Sequence, residues 1–230
     1  MKSVSRLLLA VLAAGLVIAS GTGSVAEDVA DLELGRNVAM GQRALSAPRS
    51  ACMSCHGLSG AADSSGSFPR LSGQAAWYLY KQLKDYASGA RPNDVMSPIA
   101  RTLTDAQMQA VAAYYAGQSA PAPDKSRKSD PLELQRGAAM ASIGMPDKGV
   151  AACVNCHGPG NRGLPPSFPY LAGQSASYTQ LQLQLWKDGV RKNDPLGVMQ
   201  HIAKQLSGDE IGALALYLSS LDPPQRSTSE

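Results

Sequence analysis

The stretch that decides the fold occurs twice in this chain of 230 residues. It reads Cys52-Met53-Ser54-Cys55-His56-Gly57 in the first half and Cys153-Val154-Asn155-Cys156-His157-Gly158 in the second half. All four cysteines of the chain lie in these two motifs. Two cysteines three positions apart on a helical turn face the same side, and the histidine that follows them faces the same space.

The C-x-x-C-H motif is the attachment signature of c-type haem. Each cysteine sulfur bonds one vinyl group of a porphyrin, and the histidine occupies one axial position of the iron. Two disulfides, a thioredoxin-like redox pair and a zinc site are the alternatives. None of them requires a histidine directly after the second cysteine in both copies. The motifs therefore predict two covalently bound c-type haems, attached at Cys52, Cys55, Cys153 and Cys156, with His56 and His157 as axial ligands.

The repetition extends outward from the motifs over most of the chain. Matching residues lie 100 or 101 positions apart at first and 103 positions apart later, which indicates small insertions in loops. The matches include Leu32-Glu33-Leu34, Met40, Phe68-Pro69, Gly73-Gln74 and Asn93-Asp94, which recur as Leu132-Glu133-Leu134, Met140, Phe168-Pro169, Gly173-Gln174 and Asn193-Asp194. We expect two homologous domains, 27–117 and 131–223, joined by a linker at 118–130 that is rich in proline, serine and charge.

Apolar residues recur at helical spacing in both copies. The pattern predicts helices over 32–45, 75–87 and 106–116, the last capped by Thr104, and over 207–218 in the second copy. No stretch shows the alternation of apolar and polar residues that is typical of a β-strand. The predicted fold class is therefore all-α, with long loops that a bound cofactor would organise.

The first 26 residues have the features of a secretory signal peptide. Lys2 and Arg6 precede an apolar run over 7–19, and Ser24-Val25-Ala26 offers small residues for cleavage. The run is too short for a membrane anchor, which needs roughly 20 residues. Cleavage would leave 19 basic and 18 acidic residues and no basic block. The mature protein is thus expected in the periplasm, and nothing predicts a nucleic-acid partner.

A second axial ligand is needed to keep other ligands off each iron. Met96 and Met199 follow the two Asn-Asp pairs and lie 40 and 42 residues after their histidines. Thioether ligation raises the reduction potential of a haem. The rival candidates are Met40, Met140 and Met145, with His201 the main rival for the second site, whereas Met108 lies on a helical stripe where packing is the simpler role.

The arrangement resembles a duplicated class I cytochrome c fold and, more specifically, the cytochrome c4 family. The most specific pieces are Phe68-Pro69-x-Leu71-x-Gly73-Gln74, Gly89-x-Arg91-x-Asn93-Asp94, Met96-x-x-Ile99-Ala100 and their second copies. The resemblance implies two low-spin haems with His/Met ligation, close together across a domain interface. It also implies that the carbonyls of Pro69 and Pro169 accept a hydrogen bond from Nδ1 of the two histidines.

Further repeated polar residues have two interpretations each. Arg91 and Arg191 either pair with haem propionates or lie exposed to solvent. Gln74, Gln174, Tyr78 and Tyr178 either bond propionates or contact the partner domain.

Two functions from different classes agree with these features. The resemblance implies an electron carrier between a quinol-oxidising complex or dehydrogenase and a terminal oxidase, with peripheral membrane association left open. The alternative is a tightly bound electron-acceptor subunit of a periplasmic dehydrogenase. A haem enzyme such as a peroxidase needs an open iron, and the paired methionines argue against it.

Overall fold

The computed structural model describes residues 25–42, 51–62, 65–122 and 129–224, with side chains from residue 31 onward. The predicted signal peptide lies outside this part of the chain except for Val25 and Ala26, with which the first helix begins. The middle of the predicted linker, 123–128, also lies outside it. Within the described ranges, no helix is long and apolar enough to cross a membrane.

Ten α-helices are present in the described residues, five in each half of the chain. The first half contains α1 (Val25–Ala39), α2 (Met53–His56), α3 (Ala76–Ser88), α4 (Met96–Arg101) and α5 (Asp105–Ala116), and the second contains α6 (Pro131–Ile143), α7 (Val154–His157), α8 (Ala176–Lys187), α9 (Val198–Gln205) and α10 (Gly208–Ser220). Apart from isolated β-bridges, the described residues contain no extended pairing. The predicted all-α class and the tandem arrangement of two like domains are confirmed.

The last helix of each domain begins at a capping box. Thr104 Oγ1 accepts a hydrogen bond from the Gln107 amide, and the Gln107 side chain accepts one from the Thr104 amide. Ser207 and Glu210 make the same reciprocal pair at the start of α10. Each pair satisfies amide groups that a helix start otherwise leaves unbonded, which fixes where the helix begins.

In each domain the first helix packs across the last, with a glycine at the closest approach. A Cβ atom added at Gly35 would lie 2.2 Å from the carbonyl oxygen of Ala110, and one added at Gly137 would lie 2.2 Å from that of Ala213. Only a residue without a side chain allows two helix backbones to approach this closely. The crossing of α1 with α5 and of α6 with α10 therefore depends on these two glycines.

These glycines correct the repeat alignment at its N-terminal end. Gly35 and Gly137 are equivalent, so α1 and α6 correspond at an offset of 102 rather than 100. Buried Met140 then occupies the place of buried Val38, while Met40 follows the end of α1. The pairing of Met40 with Met140 is wrong, because a helical apolar pattern shifted by two positions still looks similar.

The helix predicted over 32–45 is also shorter than expected at its C-terminal end. α1 ends at Ala39, and the chain turns at Gly41, whose φ of 70° is in the left-handed region. The other predicted helices lie within one or two residues of α3, α5 and α10. Their stripes form the two cores, which include Met108, Val111 and Tyr115 in one domain and Leu206, Ile211 and Leu214 in the other.

Candidate haem-binding sites

The two cysteine motifs form the one-turn helices α2 and α7. The amide of His56 donates to the Cys52 carbonyl at 2.9 Å, and the amide of His157 donates to the Cys153 carbonyl at 2.8 Å. Each turn brings both cysteines and the histidine to one side of the backbone. Gly57, with φ of 75°, ends the first turn in a conformation that a larger residue would adopt only with strain.

All four cysteines are free thiols and are partly buried. Burial raises the pKa of the Cys52 and Cys153 thiols to about 11, and the neighbouring cysteine of each pair adds to this rise. A reactive redox cysteine has a lowered pKa instead. Neither a disulfide nor a group of three or more metal-type ligands exists in the described ranges. The thioredoxin-like, disulfide and zinc interpretations therefore have no support in the geometry.

The two histidines are buried and held in matching ways. Nδ1 of His56 lies 3.0 Å from the carbonyl oxygen of Pro69, and Nδ1 of His157 lies 2.8 Å from that of Pro169. Because a carbonyl only accepts, Nδ1 carries the proton and Nε2 is the nitrogen left for a metal. Burial lowers the pKa of both imidazoles, against the opposing effect of the carbonyl, and this favours the neutral, ligating form.

The two predicted methionine ligands lie at the starts of the fourth helix of each domain. Met96 is the first residue of α4, and Met199 is the second residue of α9. Both are half-buried. Met199 packs against the same core cluster as Cys153, so it lies on the haem-attachment side of its domain. Iron ligation by Met96 and Met199 stays a prediction.

The rival ligands differ in where they lie. His201 is exposed on α9, and Met140 and Met108 are buried in the cores. Met145 packs against the same cluster as Met199. Of the rivals in the second domain, Met140 is a buried member of that cluster and Met145 is partly buried against it, so both share the surroundings of the predicted ligand, whereas exposed His201 does not.

A buried polar cluster lies between the domains, with Arg91 and Arg191 at its centre. The two residues are only 5% and 4% exposed, so the solvent-exposed interpretation is wrong. Arg91 donates to Gln82, Gln182 and Tyr178 at 2.6–2.9 Å. The remaining bonds of the cluster run from Arg191 to Gln182, Gln82, Tyr78 and Asn193.

This cluster carries more positive charge than the protein around it neutralises. Neither guanidinium forms an ion pair with a described carboxylate. Arg191 stacks on the Trp186 ring at 3.8 Å, and the Trp186 indole N–H is buried without a hydrogen-bond partner. A buried charge without a counter-charge costs several kcal/mol. Haem propionates are anions with free acceptor oxygens, so the residues present fit a haem at this place.

The glutamines and tyrosines that repeat in the sequence contact the partner domain. Tyr78 and Tyr178 each accept a hydrogen bond from the arginine of the other domain. Gln74 and Gln174 bond backbone groups of the other domain. The sequence leaves two options for these residues, and the position of Gln74 and Gln174 shortly after the Phe-Pro pairs is a signal that the glutamines lie near the histidines.

Comparisons with known proteins agree with the geometry. A family model described as "Cytochrome c" matches residues 38–117, and one described as "Cytochrome C oxidase, cbb3-type, subunit III" matches residues 134–218. A thiosulfate dehydrogenase electron acceptor from Stutzerimonas stutzeri is 45% identical over 74% of this chain and 79% of its own length.

Two solved structures extend the likeness to the fold. Cytochrome c4 from Pseudomonas stutzeri is 32% identical with a TM-score of 0.72, over 83% of this chain and 98% of that one. The thiosulfate dehydrogenase TsdBA from Marichromatium purpuratum is 36% identical with a TM-score of 0.75, over 86% of this chain but 41% of that one. The chain therefore belongs to the family of di-haem class I cytochromes c that contains cytochrome c4 and the thiosulfate dehydrogenase electron acceptors, and it is an electron carrier with two c-type haems.

Proposed function

We propose that this protein is the periplasmic electron acceptor of a dehydrogenase of the thiosulfate dehydrogenase type. The observation that carries the proposal is the 45% identity to a protein of that role over most of both chains. The match to part of TsdBA supports it, because that chain carries a region like this one within a thiosulfate dehydrogenase. Delivery to a terminal oxidase is the second candidate, and the likeness to cytochrome c4 favours it.

The proposed site in each domain uses one histidine and one methionine as axial ligands. These are His56 with Met96, and His157 with Met199. A bound c-type haem supplies a one-electron couple between ferric and ferrous iron. The protein's own part is to hold the histidine tautomer through a proline carbonyl, to close the iron with a thioether, and to neutralise propionates with buried arginines.

The periplasmic location rests on the signal-like segment 1–26 and on the haem type. Its positive start, short apolar run and small residues before Glu27 are those of an exported chain. The two domains would then meet both a dehydrogenase and the respiratory chain in one compartment.

The test is direct reduction of the holoprotein. A purified thiosulfate dehydrogenase with thiosulfate should reduce both haems, whereas thiosulfate alone should reduce neither. The matched control replaces the dehydrogenase by a purified quinol-oxidising complex with quinol. Fast reduction by the quinol-oxidising complex and none by the dehydrogenase would reject the proposed role in favour of the shuttle to an oxidase.

A further inference from the structure

In each domain, the residue after the histidine-bonding proline is held by a glutamine from the other domain. Gln174 Oε1 accepts a hydrogen bond from the Arg70 amide at 2.9 Å, and its Nε2 donates to the Arg70 carbonyl at 3.0 Å. Gln74 does the same to Tyr170, at 3.1 Å for both bonds. Each glutamine thus makes a two-point contact with the backbone of the opposite domain.

Both glutamine side chains are fixed in place. Gln74 and Gln174 are 5% and 6% exposed. Each Oε1 also accepts the amide of the residue that follows it, from Ala75 at 3.1 Å and from Ser175 at 2.9 Å. Rotation of either amide group would leave buried backbone groups unbonded, which is unfavourable. The glutamines are therefore rigid anchors.

The anchored peptide group is the one that holds the histidine. The Pro69 carbonyl and the Arg70 N–H belong to one planar peptide unit, so fixing the N–H fixes the carbonyl. That carbonyl accepts the hydrogen bond from Nδ1 of His56. The chain of contacts runs from Gln174 through this peptide to His56, and its mirror runs from Gln74 through the equivalent peptide to His157. Hydrogen bonds linked through one amide also polarise one another.

We propose that Gln174 and Gln74 are positioning residues that act across the domain interface, each on the iron-binding histidine of the other domain. Gln174 orients His56, and Gln74 orients His157. The inference rests on the assignment of these histidines as axial ligands under the proposed function. Its consequence is that each haem's electronic properties depend on the domain that does not attach it.

The interface offers contacts that keep the domains together when a glutamine is replaced. Arg70 Nη1 donates to the Gly173 carbonyl at 2.7 Å, and the Tyr170 hydroxyl donates to the Ser72 carbonyl at 2.6 Å. These bonds join the same two segments without the glutamine side chains. Gln74→Met and Gln174→Met, which keep the side-chain length, remove the anchor without emptying the interface.

The two variants are matched controls for each other. We would follow a redox titration of each holoprotein by proton NMR of haem methyl signals assigned to each domain. Gln174→Met should change the reduction equilibrium of the N-terminal haem at least threefold, about 28 mV for a one-electron couple. Gln74→Met should do the same to the C-terminal haem. Both shifts should be towards higher potential, because a less polarised carbonyl makes its histidine a weaker donor.

A shift of potential that occurs only at the haem of the opposite domain distinguishes the positioning of a histidine by the glutamine from a general loosening of the domain interface. Equal shifts of both haems, shifts only within the variant's own domain, or no shifts would overturn the inference. Amide exchange gives a second readout: it should speed up at Arg70 in Gln174→Met and at Tyr170 in Gln74→Met. If a methionine variant fails to accumulate, Gln→Asn at the same position must show the crossed shift. A wild-type protein without histidine ligation would overturn both this inference and the proposed site, whereas uncrossed shifts on a His/Met background would overturn this inference alone.

Discussion

The Asn-Asp pair before each predicted methionine ligand has different roles in the two domains. In the first domain, Asn93 Oδ1 accepts hydrogen bonds from the amides of Val95 and Met96 at 3.0 and 2.7 Å. In the second, Asp194 Oδ2 accepts from the amides of Met199 and Gln200 at 2.7 and 3.2 Å. A neutral amide thus starts one methionine helix, and a carboxylate starts the other.

The inserted residues Pro195-Leu196-Gly197 account for this exchange. They form an extra turn between Asp194 and α9, and the aspartate accepts a hydrogen bond from the methionine amide there, as Asn93 does in the first domain. Asn193 is then free to donate to Gln82 and Asp85 of the other domain, at 3.0 and 2.6 Å. Copies with the same predicted ligand types therefore differ in the charge beside the methionine, and identical motifs do not imply identical potentials.

Removal of the methionines should have the largest effect. Met96→Ala should open only the N-terminal haem and Met199→Ala only the C-terminal one, because each methionine begins a helix of its own domain. Each variant should bind one carbon monoxide per protein, against none for the wild type, as measured by titration of the reduced absorption spectrum.

Two other candidate ligands in the second domain define the result that would contradict this prediction. If Met199→Ala leaves the spectrum unchanged while Met145→Ala or His201→Ala opens an iron, the assignment of Met199 is wrong. His201 is exposed, so its variant should otherwise behave as the wild type does.

The charge difference beside the methionines predicts a shift in reduction potential, which is a smaller effect than the loss of an axial ligand. Asp194→Asn should raise the potential of the C-terminal haem, because a nearby negative charge stabilises ferric iron. A unit charge at a partly buried site acts with on the order of 1 kcal/mol, roughly fivefold in the reduction equilibrium. Asp94→Asn is the matched control, because Asp94 is exposed and caps no helix. If the two variants shift the reduction potential of the haem in their own domain equally in a redox titration, the inferred difference in charge beside the two methionines is wrong.

The capping boxes predict a smaller difference in acid stability. Hydrogen bonds from Lys148 and from the Ser207 amide hold the pKa of Glu210 below its ordinary value of 4.5. Its stabilising contribution is therefore present above pH 4.5 and is lost as the pH falls through the lowered pKa. Glu210→Gln, which copies the first domain's Gln107, should remove about 1 kcal/mol of that pH-dependent stability.

The measurement is thermal unfolding of the holoprotein from neutral pH down to an acidic pH below the lowered pKa of Glu210. Gln107→Glu is the mirror variant and should add acid sensitivity to the first domain. A wild type and a Glu210→Gln variant that lose stability in parallel on acidification would show that this carboxylate does not contribute.

The inserted turn predicts the smallest effect. Leu196 is fully exposed and has a φ of 59°, in the left-handed region that disfavours a branched side chain. Leu196→Gly should stabilise the protein by about 0.5–1 kcal/mol in chemical unfolding. Gly197→Ala is the opposite control, because its φ is 68° and nothing lies within 4 Å of an added Cβ. A destabilising Leu196→Gly would mean that the turn is not strained.

Local chemistry explains which parts of this structure the sequence predicts. The cysteine motifs, the cap at Thr104 and the stripe along α5 depend on residues close in sequence. The alignment of α1 with α6 as equivalent helices of the repeat does not depend on such residues, because a helical pattern shifted by two residues still places apolar groups on one side. It is decided by the close approach of Gly35 to Ala110 and of Gly137 to Ala213, which only the packed helices reveal.

The sequence cannot choose between cross-domain contacts and propionate contacts for the repeated glutamines, for a related reason. Gln174 and Arg70 are about a hundred residues apart, and either a propionate or a backbone group satisfies a glutamine side chain. Likewise, Asn93 and Asn193 occupy matching positions in the sequence. Their different partners follow from three inserted residues that change the path of the backbone, not from the residue type.

The claim that both irons are closed by methionine sulfur is tested most directly on the ferric wild-type protein. The measurement is the intensity of the weak near-infrared sulfur-to-iron band per haem, combined with carbon monoxide binding to the reduced form. We expect the intensity of two methionine-ligated haems per protein and no carbon monoxide bound. Half that intensity, with one carbon monoxide bound per protein, would show that one iron is open and would contradict the claim.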